Sequence, residues 1–275
     1  MNIKNVKIPL TALLGELLGT FVLAVVALTI GQPLLVGLTL VVLVFGFMAI
    51  SGSHLNPAVT FGLWSVKKIE TIKAIFYWLA QFIGGLLALF VMHLFKGDSA
   101  SISLSSFSSF DPKLAGAEII GAAIFVFIIT AVVHRRSTEG VQAAAIGLAL
   151  MVGLYAAGGL LNLAVQNIDP SSKESPRVSK VDGAVLNPAI ALAATEKEDQ
   201  TSALQQQLTG GKTKKETKTP ASRFTLETTI GTLAGAALGA NLFMALSGEN
   251  PFAKQQSTAT KVTTTIKKAS KKGKK

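Results

Sequence analysis

Six long apolar stretches constrain this chain of 275 residues more than any other feature. Each contains about 20 residues with almost no charge, which is the length that an α-helix needs to cross the hydrocarbon core of a bilayer. The stretches cover approximately residues 10–30, 33–52, 73–95, 114–133, 141–163 and 227–247. Only 15% of the residues are charged, whereas a soluble domain carries about 25%. The sequence therefore predicts an all-α integral membrane protein with six transmembrane helices.

The lysine and arginine residues between these stretches are unevenly distributed. When the N-terminus is placed inside, the inside segments hold Lys4, Lys7, Lys67, Lys68, Lys73, Arg135, Arg136 and eight lysines between positions 254 and 275. Cytoplasmic segments carry such an excess of basic residues, and an even number of helices returns the chain to its starting side. We therefore expect a multi-pass protein of the cell membrane with both termini in the cytoplasm.

The two halves of the chain match each other at four places in the same order. The matching positions are 16–20 with 118–122, 37–40 with 147–150, 56–59 with 187–190, and glycines 84 and 85 with glycines 231 and 235. Each half contains three predicted helices, so the second half must cross the membrane in the opposite direction to the first. Inverted repeats of this kind, with interrupted helices near the middle of the membrane, are typical of channels and transporters.

The segments outside the helices divide the chain further. The predicted parts are a cytoplasmic N-terminus at 1–9, a membrane domain at 10–247 with repeats at about 10–95 and 114–247, exposed insertions at 164–182 and 196–226, and a Lys-rich cytoplasmic tail at 248–275. The insertions are rich in Ser, Thr, Gln, Lys and Glu, which is typical of exposed loops with little fixed structure. The tail is predicted to be disordered and either solvated or in contact with anionic lipid headgroups.

The tripeptide Asn-Pro-Ala occurs once in each half, as Asn56, Pro57 and Ala58 and as Asn187, Pro188 and Ala189. Asn is a good N-cap and Pro fits the first helical turn, so each tripeptide predicts the start of a short helix. The inverted repeat brings the two starts together in mid-membrane, where irregular backbone persists only when it is buried in protein or lines a wet cavity. The Asn amides would then donate into a path, and the two helix N-termini would oppose cations.

These motifs resemble those of the major intrinsic protein family, the aquaporins and glycerol facilitators. The resemblance covers roughly residues 10–163 and 183–247, and the ten residues 51–60, Ser-Gly-Ser-His-Leu-Asn-Pro-Ala-Val-Thr, fit the family's first signature closely. It implies an aquaporin-like fold of six tilted helices and two re-entrant half-helices. It also implies a homotetramer with one pore in each subunit, which passes water and small uncharged solutes such as glycerol.

Four polar residues near the predicted half-helices are candidates for holding them in place. They are Glu16, Glu118, His54 and Gln81. Ionisable residues inside a membrane are functional candidates by default, and the resemblance implies that the two glutamates brace the re-entrant loops. The alternative is that Glu16 or Glu118 relays protons in an ion-coupled transporter.

The resemblance places the pore constriction at Val36, Leu154, Ala184 and Ile190. The family nearly always has arginine where Ile190 stands, so this chain departs from the family at that position. An apolar ring offers passing water no hydrogen bonds and can close by dewetting. The possibilities that remain are a wide pore for glycerol-like solutes, a water-selective pore, and a gated or non-conducting scaffold. Arg177 or Lys180 of the first insertion could also fold back and supply a cation.

Other classes of function find little support in the sequence. The chain has no cysteine and only three histidines, at 54, 93 and 134, with no pair at ligand spacing. We therefore expect no metal site and no cofactor, and the absence of a nucleophile–base set or phosphate loop predicts that the protein is not an enzyme. The net charge of +11 is concentrated in the tail, so we expect water, small neutral solutes and membrane lipids as partners rather than nucleic acid.

Overall fold

The structure is a computed structural model that describes residues 8–97, 110–135, 137–168, 176–197 and 221–249. Its helices are α1 (Leu10–Thr29), α2 (Pro33–Ser51), α3 (Pro57–Ser65), α4 (Thr71–Lys96), α5 (Pro112–Arg135), α6 (Glu139–Gln166), α7 (Pro188–Ala193) and α8 (Thr232–Leu246). A short 3₁₀ turn at Arg177–Lys180 precedes α7, and a π-helical turn at Glu227–Gly231 leads directly into α8.

Six of the described helices are long and apolar enough to cross a bilayer, with the sixth running from Glu227 through α8 to Leu246. They coincide with the six stretches predicted from the sequence. The remaining two, α3 and α7, have nine and six residues, which is too short to span. The prediction of an all-α fold with six membrane-spanning helices and two half-helices is therefore confirmed for the described residues.

Glycines allow the long helices to cross closely. A Cβ atom on Gly235 of α8 would lie 2.3 Å from the carbonyl oxygen of Ile119 in α5, and one on Gly239 would lie 2.1 Å from that of Ala123. In the first half, a Cβ on Gly84 of α4 would lie 2.5 Å from a carbonyl oxygen of α1. Inside a membrane, small residues at helix crossings let the two backbones approach closely. Corresponding glycines therefore set corresponding helix contacts in the two halves.

The two short helices interlock the halves. The first, α3, packs mainly against α8, and the second, α7, packs mainly against α4. Each therefore lies against the third long helix of the other repeat. Gly85 of α4 makes room for α7, because a Cβ there would lie 2.3 Å from the carbonyl oxygen of Ala189. The starts of α3 and α7 are held between the long helices as a result.

The insertions are less exposed than their composition predicts. Residues 164–166 still belong to α6, and the described ends of the two stretches contain the buried residues Arg177, Val178, Ser222, Arg223 and Thr225. The expectation of exposure is wrong for these ends, because both arginines are paired with buried glutamates that lie far away in the sequence. The predictions for residues 1–7, Arg136, 169–175, 198–220 and 250–275 lie outside the described residues.

Candidate functional site

The two Asn-Pro-Ala tripeptides start their helices in the same way. The Oδ1 atom of Asn56 accepts from the backbone N–H of Ala58 at 2.8 Å, and that of Asn187 accepts from the N–H of Ala189 at 3.0 Å. A proline follows each asparagine at the first helical position, where its missing N–H leaves no bond unmade. The cap fixes the orientation of both asparagine side chains.

Each asparagine also reaches the loop of the opposite half. The Nδ2 atom of Asn56 donates to the carbonyl oxygen of Leu186 at 2.8 Å, and the Nδ2 atom of Asn187 donates to that of Leu55 at 3.1 Å. A side-chain amide has two hydrogens, so each Nδ2 retains one hydrogen beyond this bond. The structure thus brings the two motifs together and joins them by reciprocal hydrogen bonds.

The residue before each asparagine has a left-handed backbone conformation. The φ angle is 50° at Leu55 and 53° at Leu186, a conformation that costs a residue of this type about 1–3 kcal/mol and persists only where the surroundings enforce it. Both leucine side chains are fully buried. They lie against Gly19 and Gly121, respectively, which have no side chain to displace them.

Glu16 and Glu118 bind the backbone of these turns. The carboxylate of Glu16 accepts from the N–H groups of residues 54 and 55 at 3.0 and 2.7 Å. The carboxylate of Glu118 accepts from the N–H groups of residues 185 and 186, both at 2.9 Å. Both glutamates are fully buried. The left-handed turns therefore present adjacent N–H groups to one carboxylate in each half.

In the first half, Glu16 also contacts a neutral side chain, the amide of Gln81. The Nε2 atom of Gln81 donates to Glu16 at 2.8 Å and to the hydroxyl of Thr60 at 2.9 Å. The Nδ1 atom of His54 lies 3.0 Å from the same hydroxyl. The structure thus brings three of the four predicted bracing residues together, Glu16, His54 and Gln81, with Thr60 as a further partner that the sequence did not single out.

A cavity of about 740 Å³ opens on the side where α1 ends and α2 begins, and it extends to Asn56 and Asn187. Its lining includes all four residues predicted to form the constriction, which are Val36, Leu154, Ala184 and Ile190. Three of them are buried and Ala184 is half-buried. The structure therefore places the four aliphatic residues and the asparagines of both motifs on one cavity.

An arginine that the sequence did not single out also lines this cavity. Arg223 precedes the π-helical turn by four positions and is 8% exposed. Its Nη2 atom donates to the carbonyl oxygen of Gly183 at 2.6 Å and lies 3.7 Å from Oε1 of Glu118. Burial lowers the pKa of Arg223, and the carboxylate of Glu118 is the strongest influence that raises it. An arginine side chain carries its positive charge in proteins.

The two cations considered from the sequence, Arg177 and Lys180, do not belong to the lining of this cavity. Arg177 is instead ion-paired with Glu196 and lies 3.4 Å from the carboxylate of Glu227. The other oxygen of Glu227 accepts from the N–H of Asp111 at 2.7 Å. These contacts join the segments on both sides of α7 to the start of α5 and to the π-helical turn that leads into α8.

Comparison with known proteins places the chain in a family. The family model described as "Major intrinsic protein" matches residues 24–167. Aquaporin Z of Photorhabdus laumondii is 33% identical over 171 residues, which cover 52% of this chain and 74% of that protein. A probable aquaporin, PIP2-6 of Oryza sativa, is 34% identical over 108 residues, which cover 37% of this chain and 38% of that protein.

A solved structure supports the same fold. The aquaglyceroporin from Plasmodium falciparum superposes with a TM-score of 0.51 over 86% of this chain and 94% of that chain. Its sequence identity is 20%, so this likeness concerns the fold alone.

The long apolar helices and the paired half-helices define a multi-pass membrane protein of the aquaporin-like class. The chain belongs to the major intrinsic protein family. Membership assigns it to the membrane channels for water or small solutes.

Proposed function

We propose that the protein is a passive channel for water and small uncharged solutes such as glycerol. The observation that carries this proposal is the meeting of two capped half-helices, whose asparagine amides line one open cavity. Asn56 and Asn187 each offer a donor to a solute oxygen there. Two helix N-termini bring partial positive charge to the same point, which opposes the passage of cations.

The constriction is proposed at Val36, Leu154, Ala184 and Ile190. Their side chains are aliphatic, and none has the size of an aromatic ring. An apolar wall of this kind fits the carbon backbone of a polyol, while donors elsewhere in the cavity serve its hydroxyl groups. We therefore propose that the pore accepts glycerol-sized molecules as well as water.

The buried glutamates are proposed to brace the loops rather than to relay protons. Each carboxylate already accepts two backbone N–H groups, and each has a further polar neighbour, Gln81 for Glu16 and Arg223 for Glu118. A carboxylate bound in this way is held in a fixed position. It would have to give up some of these hydrogen bonds in order to bind and release a proton. An ion-coupled transporter is the alternative that this geometry disfavours.

The setting of the channel is also proposed. The exposed aliphatic and aromatic side chains of the long helices suit contact with lipid tails or with a second subunit. We propose a homotetramer in the cell membrane with both termini in the cytoplasm and no enzymatic activity. The membrane domain at 10–247, the cytoplasmic N-terminus at 1–9 and the Lys-rich tail at 248–275 remain the proposed division of the chain.

Stopped-flow light scattering on proteoliposomes tests the function directly. Vesicles are challenged with sucrose and then with glycerol. We expect water efflux and glycerol entry above the rates of empty liposomes, without any ion gradient. Flux that requires a proton or sodium gradient would identify a coupled transporter, and rates equal to those of empty liposomes would identify a non-conducting member of the fold.

A variant that fills the cavity tests where the solutes pass. Ala184→Trp places a large ring among the proposed constriction residues without removing either asparagine cap, so we expect it to abolish both fluxes. Ala234→Trp is the matched control, because Ala234 is exposed on α8 and does not line the cavity. Unchanged flux in Ala184→Trp would show that solutes take another route.

A further inference from the structure

We propose that Arg223 is a specificity-determining residue of the constriction. Its guanidinium supplies the fixed positive charge and the hydrogen-bond donors that the four aliphatic side chains lack. The channel would therefore accept uncharged solutes that carry oxygen acceptors and oppose the entry of cations, protons included. This inference rests on the proposed function and names the group that sets its selectivity.

The backbone around Arg223 is bonded to the end of the half-helix that carries Ile190. The N–H of Arg223 donates to the carbonyl oxygen of Ala194 at 2.9 Å, directly after α7. Ser222 forms an isolated antiparallel bridge with Thr195. On its other side, the carbonyl oxygen of Arg223 accepts from the hydroxyl of Thr228 in the π-helical turn. A segment distant in sequence is thus held beside the end of the second half-helix.

The side chain lies next to the apolar ring. Its Nη2 atom donates to the carbonyl oxygen of Gly183, and Gly183 immediately precedes the constriction residue Ala184. Within the described part of the chain, the Nε atom of Arg223 is buried and has no hydrogen-bond partner. A guanidinium has five N–H donors, and the bond to Gly183 uses one of them, so the group can offer further donors to an oxygen atom in the cavity.

The counter-charge lies behind the guanidinium rather than in the cavity. Glu118 is fully buried and does not belong to the lining, whereas Arg223 does. The carboxylate also holds two backbone N–H groups of the loop. The attraction between the two charges and the hydrogen bonds that the carboxylate accepts offset part of the cost of burying them. A solute in the cavity therefore meets the positive member of the pair.

Other charges near the mouth are poorly placed for this role. Lys96 and Asp182 line the cavity but are exposed, and Lys197 pairs with Asp182 through side chains that are 47% and 75% exposed. Charges in contact with water are screened by salt, whereas buried charges are screened much less. Among the described lysine and arginine residues of the lining, Arg223 is the one whose side chain is buried.

Cysteine labelling tests the placement of Arg223 without relying on flux. The chain has no cysteine, so Arg223→Cys introduces a single thiol. We expect small methanethiosulfonate reagents to modify it in the folded protein and to block glycerol flux. Lys113→Cys is the control, since Lys113 is exposed on the same side and lies outside the cavity. It should react without loss of flux. A thiol at 223 that stays unreactive would overturn the placement.

Selectivity is tested by comparing proton and glycerol permeability in proteoliposomes. Coulomb's law for one charge that acts over about 6 Å, at an effective dielectric constant of about 20, predicts a rise in the proton-to-glycerol ratio of roughly 10- to 100-fold in Arg223→Gln. Arg223→Lys retains the charge and should keep the ratio near that of the wild type.

The outcomes separate this inference from the proposed function. A parallel loss of both permeabilities in Arg223→Gln, with an unchanged ratio, would mean that Arg223 only supports the fold. A wild-type protein that passes neither water nor glycerol would refute the proposed function and the selectivity role together. The labelling result would then still decide whether residue 223 faces the cavity.

Discussion

At the scale of single residues, the two halves differ in what stands beside their buried glutamates. Glu16 has the neutral amide of Gln81 at 2.8 Å, and Glu118 has the guanidinium of Arg223 at 3.7 Å. Removing one partner of a buried ion pair leaves an uncompensated charge and costs about 3–5 kcal/mol. Leaving a neutral buried group without its partner costs about 1–3 kcal/mol. Loss of the Glu118 carboxylate should therefore cost more stability than loss of the Glu16 carboxylate, although the two residues occupy matching positions.

We expect Glu118→Gln to destabilise the protein more than Glu16→Gln, by about 2 kcal/mol. Thermal unfolding in detergent, followed by tryptophan fluorescence, measures the difference. The double variant Glu118→Gln with Arg223→Gln should lose less stability than the sum of the two single variants, because the two groups contact each other. Equal losses in the two glutamate variants would contradict the ion pair.

At the scale of elements, the pairing of long helices depends on a few glycines. In α5 and α8 the backbones approach so closely that a Cβ on Gly235 would lie 2.3 Å from a carbonyl oxygen. A methyl group cannot fit there unless the helices separate. Gly116, on α5, is different, because a Cβ at that position would meet nothing within 4 Å. The structure therefore offers a matched pair of glycines.

Gly235→Ala should lower the melting temperature and loosen the crossing of α5 and α8. Gly116→Ala should leave stability unchanged or raise it by up to about 1 kcal/mol, since alanine is the better helix former. Size-exclusion profiles and thermal melts of both variants in the same detergent provide the comparison. A Gly235→Ala protein as stable as the wild type would show that the crossing tolerates a side chain.

At the scale of the whole molecule, local patterns predicted the fold, and distant contacts escaped prediction. The six helices follow from runs of apolar residues, and the half-helices follow from two tripeptides, which are both local signals. The family resemblance predicted Val36 and Leu154 as constriction residues, and both line the cavity. Arg223 was missed because its bond to Gly183 spans 40 positions and its surroundings in sequence have the composition of an exposed loop. Its one signal was its place four residues before the sixth membrane stretch.

The exposed basic residues predict an orientation of the molecule in the membrane that can be tested in cells. Lys67 and Lys68 are exposed between α3 and α4, on the side opposite the cavity mouth, and Lys113 is exposed on the mouth side. Because cytoplasmic segments are enriched in basic residues, we expect the side with Lys67 and Lys68 to face the cytoplasm. In the cysteine-free chain, Lys113→Cys should react with a membrane-impermeant thiol reagent in intact cells, and Lys68→Cys should react only after permeabilisation. The reverse pattern would place the cavity mouth, and with it Arg223, on the cytoplasmic face.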